Sequence, residues 1–169
     1  MFAARFNRRR SFALAAVLAV VCVFAAAPSW AQRPAREYVD AETLLRSDAD
    51  YDAWYGGVHK LRDGFDQICG DTFCEGDYSN IYGLRFRCSV ERNSGVLKQC
   101  LWVFAASNEE VDAASGRIAV TPKVWRCRIA LAPGTGLQAL LTTMAGERPL
   151  YAPLPGSAKS IYDSLIDCL

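Results

Sequence analysis

The strongest constraint in this sequence is a hairpin with a cysteine in each arm. From 84 to 90, Leu-Arg-Phe-Arg-Cys-Ser-Val, apolar and polar residues alternate without a break. That is the period of a strand with one buried face. Asn93-Ser94-Gly95 follows, and a second apolar-rich run spans 96–106. A three-residue loop ending in glycine suits a type I turn closed by a left-handed residue. Centred on Ser94, the hairpin sets Val90 against Lys98, Cys88 against Cys100, Phe86 against Trp102 and Leu84 against Phe104. Directly opposed residues have Cα atoms about 4.5 or 5.5 Å apart, within disulfide reach.

A disulfide needs an oxidising compartment, and the start of the chain supplies the route to one. Arg5, Arg8, Arg9 and Arg10 precede an almost unbroken apolar run over 11–27, and Pro28-Ser29-Trp30-Ala31 ends on a small-x-small pattern. This is the layout of a bacterial secretory signal peptide cut after Ala31, giving a leader 1–31 and a mature domain 32–169. The run falls short of the roughly 20 residues that span a bilayer. Arg9-Arg10-Ser11-Phe12 is similar to a twin-arginine signal, although Arg8 stands where Ser or Thr is usual. Cys22, preceded by the bulky Val21, reads as an ordinary apolar-run residue rather than a lipid anchor.

Four of the 19 basic residues lie in that leader and none of the 18 acidic ones. The mature chain therefore carries 15 basic against 18 acidic residues and is mildly acidic. No clustered positive charge points to nucleic acid, and no second apolar stretch reaches membrane length, so the mature form is expected not to span a membrane.

Six of the seven cysteines belong to the mature chain: Cys69, Cys74, Cys88, Cys100, Cys127 and Cys168. Without a C-x2-C pair, and with His59 as the one histidine, zinc is a poor reading. Disulfides are the expectation. Cys69 and Cys74 close a loop and have no distant partner. Cys88 and Cys100 follow from the hairpin register. Cys127 and Cys168 remain, the first facing inward with Trp125 and Ile129, the second on the apolar side of a last helix. That third bond closes about 40 residues and contributes roughly 3 to 4 kcal/mol in the chain-entropy model.

The rest of the mature chain reads as follows. Residues 32–38 form a frayed leader, and Asp40 caps a short helical turn through Arg46. Tyr51, Trp54, Tyr55, Val58, Leu61, Phe65 and Ile68 recur at three- and four-residue steps, one stripe of an amphipathic helix from about Asp50. Gly57 and Gly64, seven apart on one flank, imply close approach of another backbone. Residues 69–80 are a tight loop, 108–116 a polar acidic turn, 117–121 a short strand and 124–131 another. Thr135 caps a helix bearing Leu137, Leu140, Leu141 and Met144, and Ser157 starts the last helix with Ile161, Leu165 and Cys168. The fold class is α+β: one long N-terminal amphipathic helix on an antiparallel meander of three to four strands, two short C-terminal helices and three disulfides. In element order this is similar to cystatin-like and NTF2-like layouts, a likeness that carries no function.

Three constellations could carry chemistry. His59 and Asp63 stand one helical turn apart, either a general base with its orienting acid or an exposed i,i+4 pair. No nucleophile can be set beside them. Asp71, Glu75 and Asp77 share the 69–80 loop and are calcium-type ligands. An EF-hand alignment fails there, with Phe73 at position 3 and Tyr82 at position 12, and a self-satisfied turn explains the same residues. No cofactor or metal is expected. The third is the outward sheet face, where Arg85 and Arg87 from one strand and Arg126 and Arg128 from another border Leu97, Leu101 and Val103. A basic rim around an apolar strip suits an acidic partner or peptide. The competing arrangement has the C-terminal helices covering the strip and Glu109, Glu110 and Asp112 pairing the arginines.

The stretch Cys-Gly-Asp-Thr-Phe-Cys-Glu-Gly-Asp-Tyr-Ser-Asn over 69–80, the Arg-Phe-Arg-Cys strand and the Cys168-Leu169 ending resemble those of small six-cysteine periplasmic proteins of Gram-negative bacteria. The resemblance implies export and disulfides. It brings no catalytic or binding residues.

The expected function is therefore that of an exported binding or inhibitor-type module recognising another protein, without catalysis. The expected home is the Gram-negative periplasm, with onward secretion left open. One alternative is a carrier of small ligands, with a cavity lined by Tyr51, Trp54, Tyr55, Trp102 and Trp125. A hydrolase is the weaker one.

Overall fold

The computed structural model describes residues 36–169. The expected leader 1–31, its expected cut after Ala31 and residues 32–35 lie outside the described residues. Strand β1 (Tyr38–Asp40) leads into a 3-10 turn (Ala41–Leu44) and a long helix, α1 (48–72). Three strands follow: β2 (Tyr82–Glu91), β3 (Leu97–Val111) and β4 (Ile118–Arg128). Helices α2 (Leu137–Ala145) and α3 (Ile161–Ile166) end the chain. The strands form one antiparallel sheet in the order β1-β2-β3-β4. This is the expected α+β meander, and Tyr38, the last residue of the stretch expected to fray, opens its first strand.

Helix α1 begins two residues earlier than its apolar stripe suggests. Ser47 caps it through a reciprocal box with Asp50, an arrangement that satisfies orphan N–H groups at the helix start. Its segments are α over Asp48–Tyr51, π over Asp52–Gly56 and α over Gly57–Thr72. The π segment adds a residue to one turn and rotates the faces on either side of it. Trp54, Leu61 and Phe65 are buried, whereas Tyr51 and Tyr55 stack on each other on the solvent side. The helix also runs past Cys69, so the loop expected from 69 starts only after Thr72. Gly57 does meet a neighbouring helix: a Cβ there would stand 3.0 Å from the backbone oxygen of Met144 on α2.

The core lies between α1 and the inner face of the sheet. Phe65 packs on Trp102 and Phe104, with ring centres 5.9 and 4.7 Å apart, and Trp54 packs on Phe86 at 5.8 Å. All three expected disulfides form: Cys69–Cys74, Cys88–Cys100 and Cys127–Cys168, with Cα separations of 4.9, 4.0 and 5.4 Å. The last ties the C-terminus to the inner face of β4.

The hairpin register holds at its centre and slips at both ends. Cys88 opposes Cys100 and Phe86 opposes Trp102. Val90, however, pairs Leu97 rather than Lys98, and Gly83 rather than Leu84 pairs Phe104. Lys98 and Leu84 are the extra residues of two β-bulges, and each inserted residue turns the strand beyond it onto the opposite face. Leu97 is consequently buried on the inner face and Leu84 is exposed.

The β3–β4 hairpin is longer than its composition suggests. It stays paired from Leu101↔Arg128 out to Val111↔Ile118, so residues 108–111 are strand and only 112–117 form the turn. The two strand segments expected at 117–121 and 124–131 are one strand running through Pro122. Every residue from Glu109 to Val124 is exposed, making this end of the hairpin a ribbon that projects beyond the core. Lys123 anchors its base over the rings of Trp125 and Tyr78, at 4.7 and 5.0 Å. Such a contact is worth about 0.5–1 kcal/mol. Helix caps also differ in detail. Gly136, not Thr135, precedes α2, and α3 starts after Ser160, whose side chain caps it.

Candidate functional site

The register brings the four arginines onto one face. Arg85, Val103 and Arg126 form one row across β2, β3 and β4. Arg87, Leu101 and Arg128 form the next. Side chains two apart on a strand share a face, so the two rows lie side by side. Both bulges fall outside this patch, which preserves the alternation within it. Leu97, expected beside Leu101 and Val103, is the exception, because the bulge at Lys98 turns it inward.

The opposite face receives the helices, through Phe86, Trp102, Phe104 and the Cys127–Cys168 bond. The C-terminal helices therefore do not cover the apolar strip. Leu101 and Val103 are half-buried. Further along the same face, the alternation carries Val124, Val120 and Ile118 of β4 into solvent, all exposed.

The arginines differ in their partners. Arg87 donates through Nε to Asp40 at 2.6 Å, and Arg85 pairs with Glu42 at 3.5 Å. These acids come from β1 and the 3-10 turn, not from the 109–112 stretch. Glu109 instead accepts from the Ser107 hydroxyl. Asp112 accepts the N–H of Ser115 at 2.6 Å and of Ala114 at 3.1 Å. The Ser115 hydroxyl and N–H hold the Asp112 carboxyl below its ordinary value. Among the described residues, neither Arg126 nor Arg128 enters an ion pair. An open depression on this face is lined by Tyr38, Asp40, Arg87, Ser89, Gln99 and Leu101.

The other candidates are dispersed. His59 Nε2 lies 3.3 Å from Asp63, with both side chains more than half exposed. The six cysteines among the described residues are all bonded, so none of them supplies a thiolate near the pair. Asp71, Glu75 and Asp77 are exposed. No three potential ligands gather as a metal site among the described residues. The five aromatics proposed for a ligand cavity do not share one. Trp54 and Trp102 are core residues, Tyr51 and Tyr55 face solvent, and Trp125 packs edge-on against Tyr78.

Among the described residues, no helix is long and apolar enough to cross a membrane. Comparison with known families, with curated proteins and with solved structures finds no match to this chain.

Proposed function

We propose that this chain is an exported, non-catalytic binding or inhibitor-type module that recognises an acidic surface of another protein through the outer face of its sheet. The observation that carries the reading is the pair of adjoining rows, Arg85–Val103–Arg126 and Arg87–Leu101–Arg128. An apolar strip supplies area to bury. The charges on either side speed encounter and select for acids. Residues 32–169 carry 15 basic against 18 acidic residues, and four of those 15 are the arginines gathered on this face. Three disulfides suit an oxidising compartment, and with the leader they favour the periplasm.

The test is capture from periplasmic extract with the mature protein and with a variant carrying Arg85→Glu, Arg87→Glu, Arg126→Glu and Arg128→Glu, followed by kinetics on the captured partner. Slower association and a flatter salt dependence in the variant support the reading. The same partner bound with unchanged kinetics moves the interface elsewhere.

A further inference from the structure

Strand β4 ends the sheet, and its outer side pairs with nothing among the described residues. In an antiparallel ladder the backbone groups of successive residues point to opposite sides. Arg117 accepts the Asp112 N–H at 2.8 Å, and the Ile129 N–H donates to Cys100 at 3.0 Å. Both are odd-numbered, and the register between them is unbroken. The odd residues of β4 therefore face β3, and the even ones, Ile118 to Arg128, face outward.

Two features bound this free edge. Pro122 is even-numbered, so its nitrogen, which cannot donate, costs the β3–β4 ladder nothing but blocks pairing on the outer side. Ala130, the next even residue beyond the strand, donates its N–H to Ser164 Oγ at 3.1 Å. Between these stops, the N–H groups of Val124, Arg126 and Arg128 have no acceptor among the described residues. Exposed edges of this kind are templates for another strand.

We infer that 124–128 takes up an extended acidic segment of a partner protein as a fifth strand of the sheet. This rests on the acidic-partner reading of the outer face and names its form. The even residues present their edge backbone groups and, on the outer face, their side chains. An added strand lies about 4.8 Å away with its own side chains alternating. Acids at its outer-face positions come beside Arg126 and Arg128, the two arginines without an ion pair among the described residues. A second copy of this chain fits poorly. Antiparallel pairing of two such stretches sets Arg126 against its own counterpart, and like charges directly opposed destabilise a pair.

The experiment uses the exported protein with its disulfides intact and a short acetylated peptide of alternating glutamate and valine. Two further peptides are N-methylated at every second residue, in the two opposite phases. Fluorescence titration should find binding by the parent peptide and by one phase, with the other phase weaker by about tenfold or more. Val124→Pro removes one outer-edge donor, leaves the β3 ladder intact and should weaken binding in the same way. Equal binding by both methylated phases, undiminished binding by a folded Val124→Pro protein, or no binding of the parent peptide overturns the inference. If Arg126→Glu with Arg128→Glu weakens peptide binding while the two methylated phases bind alike, the acidic-partner face stands and only the strand addition falls.

Discussion

Gly57 lies directly against Met144: a Cβ built on the glycine would stand 2.6 Å from the methionine Cβ and 3.0 Å from its backbone oxygen. The contact sets how closely α2 approaches α1. At its neighbour Gly56 a Cβ would meet nothing within 4 Å. Two adjacent alanine substitutions should therefore have opposite signs. Gly56→Ala should stabilise by up to about 1 kcal/mol through backbone entropy. Gly57→Ala should destabilise by about 1–3 kcal/mol, because the helices must shift apart or strain. Urea unfolding of both variants checks this, and a stabilised Gly57→Ala protein would contradict the packing.

Two helix caps make stability depend on acid. The Asp163 carboxylate accepts the Ser160 N–H at 2.7 Å and its hydroxyl at 2.8 Å, which holds its pKa below the ordinary value. Asp50 is lowered chiefly by the Arg46 N–H, at 2.9 Å. A carboxyl whose pKa is lower folded than unfolded gives stability that is complete above the unfolded value of about 3.9 and is lost as pH falls through the folded one. Thermal melts between about pH 7 and about pH 3 should show a fall that Asp50→Asn with Asp163→Asn makes shallower. An identical pH profile in the double variant would show that these caps do not set the acid limb.

What could be read from the sequence follows from where local signals coincide with tertiary ones. Cys88 opposes Cys100 and Phe86 opposes Trp102 as expected because the bulge at Lys98 offsets the one-residue shift next to the turn, where Val90 pairs Leu97. Leu84 and Leu97 depart from the expected register. Each lies at a β-bulge, and Leu84 sits in a period-two pattern that runs on without a break, so the inserted residue leaves no mark there. The outer end of the β3–β4 ribbon was missed because Glu109, Glu110 and Val111 pair in solvent with no buried face to impose a period. The strands expected at 117–121 and 124–131 are one, because the nitrogen of Pro122, which lies between them, faces away from β3 and costs its ladder nothing. The arginine face was legible because both bulges fall outside it. Its acids were not, because the position of Asp40 and Glu42 depends on a three-residue strand.

Charge on the outer face should also act on the isolated protein. Arg87 and Asp40 are joined across β1 and β2, with the arginine side chain 56% and the aspartate 15% exposed. Because the arginine is largely in solvent, the pair itself is worth about 1 kcal/mol or less. Arg87→Ala should therefore lower stability only modestly. Arg126→Ala and Arg128→Ala, with no ion pair to lose among the described residues, should stay within about 0.5 kcal/mol of the parent. A large loss of stability in either of the latter would mean that these arginines serve the fold rather than a partner.

The disulfides offer the widest spread of outcomes. Cys127 and Cys168 are 41 residues apart in sequence, and Cys69 and Cys74 only 5. In the chain-entropy model the longer loop contributes about 4 kcal/mol and the shorter about 2. The structure adds to that difference. Cys127 is fully buried on β4, and its bond holds the segment after α3 against the sheet, where Ser164 also receives the Ala130 N–H. The Cys69–Cys74 bond closes the end of α1, where the Cys74 N–H already donates to the Cys69 carbonyl at 2.6 Å. Replacing Cys127 and Cys168 with alanine should thus cost more than replacing Cys69 and Cys74, by about 2 kcal/mol. Hydrogen exchange should show the loss centred on α3 and the C-terminal end of β4. Equal costs for the two pairs, or protection lost evenly across the sheet, would mean that the C-terminal segment is held by packing alone.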